Sequence, residues 1–194
     1  MGEQSHGEQR IADDVVELRP WSVADADWYA GTAAHDELIQ RFTTEPSTLT
    51  AEAVRVAIVK LLAEPVGAVG FLIADAITGE RLGNIALTHK EKVGEVSYWL
   101  AGYARGRGVA TRALRLLSGW ALATFDLLEL RLWTHADNHP SRVVAERAGY
   151  RREPSRDQDR TVKGQTWQTV AYELRRSGCH HHPREAPAEH GAPP

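Results

Sequence analysis

The sequence predicts an α/β domain, a mixed and mostly antiparallel twisted sheet with helices on both faces. Three observations lead there. Phe71–Asp75 and Arg81–His89 are apolar, strand-length runs separated by the turn pair Thr78-Gly79, as in a hairpin. Glu95–Leu100 is β-branched and aromatic, and a basic glycine loop follows it. After that loop Ala110, Ala113, Leu114, Leu117 and Ala121 recur at helical spacing.

In chain order, residues 1–13 read as a polar flexible tail. Val15–Arg19 is a short strand ended by Pro20, after which Ser22 or Asp25 can cap a helix. Trp28, Tyr29, Leu38, Ile39 and Phe42 precede a helix over Thr50–Glu64, with Val54, Ile58 and Leu61 along one face. Glu91–Gly94 makes a tight charged turn into the strand Glu95–Leu100, and the next helix runs from Ala110 to about Phe125. Glu129–Thr134 alternates polar and apolar, as a half-buried strand does. Ser141 can N-cap a helix to Ala148 that Gly149 stops. Tyr150–Glu153 and Gln165–Leu174 read as closing strands, with a charged loop over Pro154–Gly164. Residues 177–194 read as a disordered C-terminal tail.

Composition limits the function classes. The 194 residues suit one domain with tails, 14–176 between 1–13 and 177–194, and the 42% apolar and 25% charged shares are those of an ordinary globular protein. A net charge of −3 gives no global field for nucleic acid. The single cysteine, Cys179, cannot form an internal disulfide, and no apolar run approaches a membrane span. The polar N-terminus lacks a signal-peptide core, so a cytoplasmic protein is expected. Cys179 and His180–His182 have metal-ligand side chains, but they are adjacent in a tail instead of spaced for a closed site, so no metal is expected.

The chemistry concentrates in Arg105-Gly106-Arg107-Gly108-Val109-Ala110-Thr111. A strand, a short glycine loop and a helix N-terminus aim unpaired N–H groups and the positive end of a helix dipole at one spot. Glycines let the backbone bend and approach a ligand, and Arg105 and Arg107 add charge-assisted donors. The pattern implies a phosphate or pyrophosphate ligand. It is neither a Walker A loop, since no Gly-Lys-Ser/Thr closes it, nor the dinucleotide Gly-x-Gly-x-x-Gly, since Thr111 holds the third glycine position.

The run Glu95–Leu114 resembles the acetyl-CoA motif of the GNAT acetyltransferase superfamily, Arg/Gln-x-x-Gly-x-Gly/Ala, through Arg105, Gly108 and Ala110. Tyr98-Trp99-Leu100, Asn138-x-x-Ser141 and Gly149-Tyr150 are similar to the RimJ/RimL-like branch, whose members acetylate ribosomal-protein N-termini or small amines. The resemblance spans roughly Val16 to Leu174. It implies that the strands at 95–100 and 130–134 splay into a V that admits acetyl-CoA, and that segments 21–65 and 154–166 wall the acceptor pocket, with Trp21, Trp28, Tyr29, His35 and Phe42 as candidate lining. It also implies a cradle from Arg105 to Thr111, a carbonyl-polarising backbone N–H near Trp99 or Leu100, and Asn138 on the coenzyme arm.

Relatives use a tyrosine acid where this chain has Ala145; Ser141 is the branch's substitute, and it serves equally as a helix cap. For the base, Glu95 is favoured over His89 and His135, with water-relayed proton loss as the alternative. The expected activity is acetyl-CoA-dependent N-acetylation of a primary amine, a protein N-terminus or a small molecule; the alternative is a non-catalytic acyl-CoA-binding module. The resemblance allows a homodimer; the net acidic charge, the lack of a reading motif and the lack of an apolar span lead to no nucleic-acid or membrane partner being expected.

Overall fold

The structure, a computed structural model, describes residues 10–63 and 67–176. The Cys179 and His180–His182 cluster and the 177–194 tail lie outside the described residues. A nine-stranded sheet runs β1 (Ile11–Ala12), β2 (Val16–Pro20), β3 (Ala68–Asp75), β4 (Arg81–Lys90), β5 (Val93–Leu100), β6 (Glu129–His135), β9 (Gln165–Arg175), β7 (Arg151–Arg152), with β8 (Gln158–Val162) also on β9. Every pairing is antiparallel except β5 with β6.

Helices cover both faces. On one lie α4 (Val109–Thr124), which shares a core with Val16, Leu18, Phe71, Ile73, Ile85 and Leu87, and α5 (His139–Arg147), which lies against α4, β6 and β7. The α4 stripe of Ala113, Leu114, Leu117 and Ala121 is buried there, as its helical spacing requires. On the other lie α1 (Ala26–His35), α2 (Glu37–Phe42) and α3 (Ala51–Ala63). Trp21, Ala30, Val54 and Ile58 bury Leu72 and Ala74, while Trp99 nests against Ala33 and Ile39. Strand alternation explains the division: Val96, Tyr98 and Leu100 face α4, and Glu95, Ser97 and Trp99 face α1 and α2.

Three expectations are corrected. The tail expected over residues 1–13 contains β1, because Ile11 and Ala12 pair with Leu18 and Glu17. The stretch expected to be a loop between Pro154 and Gly164 contains β8, whose mostly polar side chains hid a strand that pairs with β9 at the sheet's margin. Asn138, not Ser141, caps α5: its Oδ1 accepts the Ser141 N–H at 3.2 Å, and Pro140 occupies the helix's first turn.

The feature that positions the site is the short β5–β6 ladder. It registers only Val93, Gly94 and Glu95 with Glu129, Leu130 and Arg131; beyond that point the two strands, each still paired on its other side, do not pair with one another up to Leu100 and His135. Gly94 permits the close end, since a Cβ there would lie 2.7 Å from both Leu130 and Leu87 side chains. A polar clasp holds the same end. Asp126 binds Lys92 and Arg176, and the Leu128 N–H reaches the Lys92 carbonyl at 2.8 Å.

Candidate active site

The gap between the parted strands is lined by backbone. The Ala101 N–H donates to the Leu82 carbonyl at 2.9 Å, continuing the β4–β5 register. Antiparallel pairing alternates, so Trp99 also bonds β4, while the N–H groups of Tyr98 and Leu100 turn away from it towards the gap. Of the two expected polarising donors, Leu100 is therefore the one so oriented. The Trp99 amide is committed to β4, and its indole belongs to the α1–α2 face.

From Leu100 a short 3-10 turn, Gly102–Ala104, leads into the glycine loop. Gly106 and Gly108 have φ of +74° and +77°, which an L side chain adopts only with strain, and Gly108 is the N-cap of α4. No side chain caps this helix, and among the described residues the N–H groups of 106–111 have no acceptor. Successive amides in this turn, backed by a sixteen-residue helix, form a concavity for an anion. Arg107 is exposed and makes no hydrogen bond among the described residues, so it is available to such an anion.

Arg105 Nη2 donates to Asp36 Oδ1 at 2.6 Å and to the Leu100 carbonyl at 2.8 Å, so the side chain braces the loop against β5 and the α2 N-cap. Burial alone would raise the Asp36 carboxyl; the Arg105 hydrogen bond and the Ile39 and Leu38 amides hold it below its ordinary value. Arg112 is likewise bound to Asp13 and Asp14, and Arg115 to the Arg147 carbonyl.

On the α4–α5 face, Ser141 Oγ lies 2.9 Å from the Tyr98 hydroxyl, which also reaches the Ser141 carbonyl at 3.3 Å. Tyr98 stands on β5 beyond its last rung with β6, and Ser141 at the start of α5, so the contact lies on the side of β5 where the two strands have parted. Burial pushes the Tyr98 phenol up to about 12, against the pull of the Ser141 hydrogen bond, so it stays protonated near neutral pH. Sequence reasoning missed Tyr98 as a partner of Ser141. The Tyr-Trp-Leu run offered it, but nothing in the sequence shows which side of β5 meets α5. Ala145, where relatives carry tyrosine, is fully buried.

Glu95 sits exposed at the last rung of the β5–β6 ladder, its Oε1 accepting the Trp133 indole N–H at 3.0 Å. Four residues of strand, about 13 Å, separate it from Trp99. His135 Nδ1 accepts the Asp137 N–H at 3.1 Å, and the ring packs between Phe42 and Trp167. His89 stacks on Phe125 at 4.3 Å. His35 binds the Gly31 carbonyl within α1.

Comparison with known proteins fits this geometry. A family model described as an acetyltransferase (GNAT) domain matches residues 16–151. A Bacillus subtilis protein provisionally named as the ribosomal N-acetyltransferase YdaF is 30% identical over 99 residues, which is 50% of this chain and 54% of that protein, so the match spans about half the length of the curated relative. The ribosomal-protein-S5-alanine acetyltransferase of Vibrio fischeri superposes with a TM-score of 0.76 at 16% identity, over 88% of this chain and 98% of the other. RimL, the ribosomal L7/L12 α-N-protein acetyltransferase, solved with coenzyme A, gives 0.73 at 19% identity, over 86% and 98%. At such identities the structural likeness speaks for the fold.

Proposed function

The chain belongs to the GNAT acetyltransferase family, and on that premise we propose that it transfers the acetyl group of acetyl-CoA to a primary amine by direct attack on the thioester. The observation that supports this most is the coincidence of a β5–β6 ladder that ends at Glu95 and Arg131 with a loop whose N–H groups at 106–111 lack partners. The loop would hold the pyrophosphate, with Arg107 beside it. The gap would admit the pantetheine arm, whose amides pair with strand backbone as an added strand does.

In the reaction the amine nitrogen attacks the carbonyl carbon, the C–S bond breaks, and the thiolate takes a proton. The Leu100 N–H, turned to the gap, would stabilise the oxyanion, a contribution of about 3 kcal/mol for one such donor. Ser141 would supply the thiolate's proton, with Tyr98 orienting its hydroxyl and Asn138 fixing its backbone. Glu95 would receive the amine's proton through water. The Ser141 hydroxyl, held 2.9 Å from the Tyr98 hydroxyl, is the observation that supports catalysis over a silent binding module.

The acceptor in this reading is a protein N-terminus, as the names of the ribosomal relatives indicate for those proteins, or a small amine. The single cysteine accords with a cytoplasmic setting. Coenzyme A release from acetyl-CoA, measured with free-N-terminus peptides and with small amines, tests the proposal. Thiol release that depends on an amine is expected; acetyl-CoA binding with no release for any amine would leave the binding-module reading standing.

A further inference from the structure

Resting on the acyl-transfer reading above, we propose that Glu45 anchors the acceptor, and that the acceptor binds as an alkylammonium cation. Glu45 follows α2 and is half-buried on the α1–α2 face of the sheet. Two donors fix its Oε1: the Tyr29 hydroxyl at 2.5 Å and the Trp99 indole N–H at 3.4 Å. Burial, and then the Glu45 charge, raise the Tyr29 phenol, so it remains a donor. Oε2 has no hydrogen bond among the described residues.

Several carboxylates packed as closely as Glu45 hold a countercharge in this molecule. Asp25 holds Arg19 and Arg81, Asp36 holds Arg105, and Glu129 holds Arg131. Glu45 forms no ion pair among the described residues. Lys163 influences it electrostatically, but that ammonium is bound to the Gln40 carbonyl at 2.8 Å and the Gln40 side-chain oxygen at 3.0 Å. Desolvating a carboxylate costs free energy that a bound cation returns.

The surroundings suit such a cation. Trp28 stacks on Trp99 at 5.8 Å and Tyr29 meets Trp99 edge-on at 5.0 Å, so the carboxylate borders an aromatic nest of low polarity. Trp99 belongs to the strand that lines the gap, and its side chain points to the face opposite Tyr98 and Ser141. The coenzyme's sulfur side and the amine thus approach one gap from opposite faces. A neutral arylamine gains nothing from the Glu45 charge; an alkylamine, protonated near neutral pH, does.

The test uses Glu45→Gln, whose side-chain oxygen still accepts from Tyr29 and Trp99 but carries no charge. Phenethylamine and aniline serve as probes at saturating acetyl-CoA, with acetyl-CoA affinity measured by calorimetry and stability by thermal unfolding. Wild type should use phenethylamine over aniline. Glu45→Gln should raise the phenethylamine KM at least tenfold while leaving acetyl-CoA affinity and unfolding temperature within error. Unchanged phenethylamine kinetics in Glu45→Gln overturns the proposal, as does equal use of aniline. So does a wild type that binds acetyl-CoA but uses no phenethylamine. A wild type that does not bind acetyl-CoA overturns the underlying transferase reading as well.

Discussion

Replacing Gly108 with alanine separates backbone strain from ligand binding, because Gly79 supplies a control. Both residues have left-handed φ, +77° and +72°, and a Cβ built on either meets nothing within 4 Å. Gly79 lies in the β3–β4 turn, far along the chain from the loop. Holding alanine in this region costs about 1–2 kcal/mol, part of it offset by the stiffer unfolded chain. Each variant should lose about 1 kcal/mol and unfold about 2–4 °C lower. Only Gly108→Ala shifts the amides of 106–111. Losing one charge-assisted hydrogen bond there costs about 1.5–3 kcal/mol, which weakens coenzyme A binding by at least tenfold. Titration calorimetry with coenzyme A and thermal unfolding of both variants provide the comparison. Parallel losses of stability with coenzyme A affinity within twofold of wild type in Gly108→Ala would refute the assignment of this loop to the pyrophosphate.

Ser141→Ala should lower kcat about a hundredfold and Tyr98→Phe about tenfold, with acetyl-CoA affinity unchanged; steady-state kinetics at wild-type kcat in both would remove the proton-donor role. Gly83→Ala places a Cβ 2.3 Å from the Trp99 carbonyl and 2.7 Å from Leu100, so the end of β5 must move, at about 1–3 kcal/mol, read by urea unfolding. Asp25 carries a pH signature. Burial works to raise its carboxyl, but Arg19, Arg81 and the Ser22 N–H bring it to about 2 from an ordinary 3.8. A carboxyl lowered by folding stabilises above its unfolded value, and that stabilisation, about 2 kcal/mol, disappears as pH falls from about 4 towards 2. Unfolding free energy measured across pH 2–6 should show this loss in wild type and not in Asp25→Asn, which should itself be about 3 kcal/mol less stable.

How much of this was legible in the sequence depended on whether the signal was local. The β3–β4 hairpin, the α4 stripe and the glycine loop each announce themselves within a dozen residues, by period or turn chemistry. β8 did not, because Gln158-Asp159-Arg160-Thr161-Val162 owes its extended form to pairing with β9 and buries only Val162. The site divides the same way. Gly106, Gly108 and Ser141 stand out in their motifs. The partners of Arg105 and Tyr98 lie 69 and 43 residues away in the chain, so whether a basic side chain faces a ligand or a carboxylate is decided by packing. Glu45 sits in an unpatterned stretch and acquires meaning only where α1, α2 and β5 converge.

The clasp of Lys92, Asp126 and Arg176 is exposed, and by energy alone such contacts are worth under about 1 kcal/mol. Its leverage is another matter. Leu100 lies five residues, about 17 Å, beyond the last β5–β6 rung, on a strand that stays paired with β4, so the β4–β5 pair moves together about that heel. A tilt of about 5° there carries the tip through about 1.5 Å, a displacement of the size that spoils the alignment of reacting groups. A surface cluster at the closed end of the β5–β6 ladder thus bears on how far the two strands part.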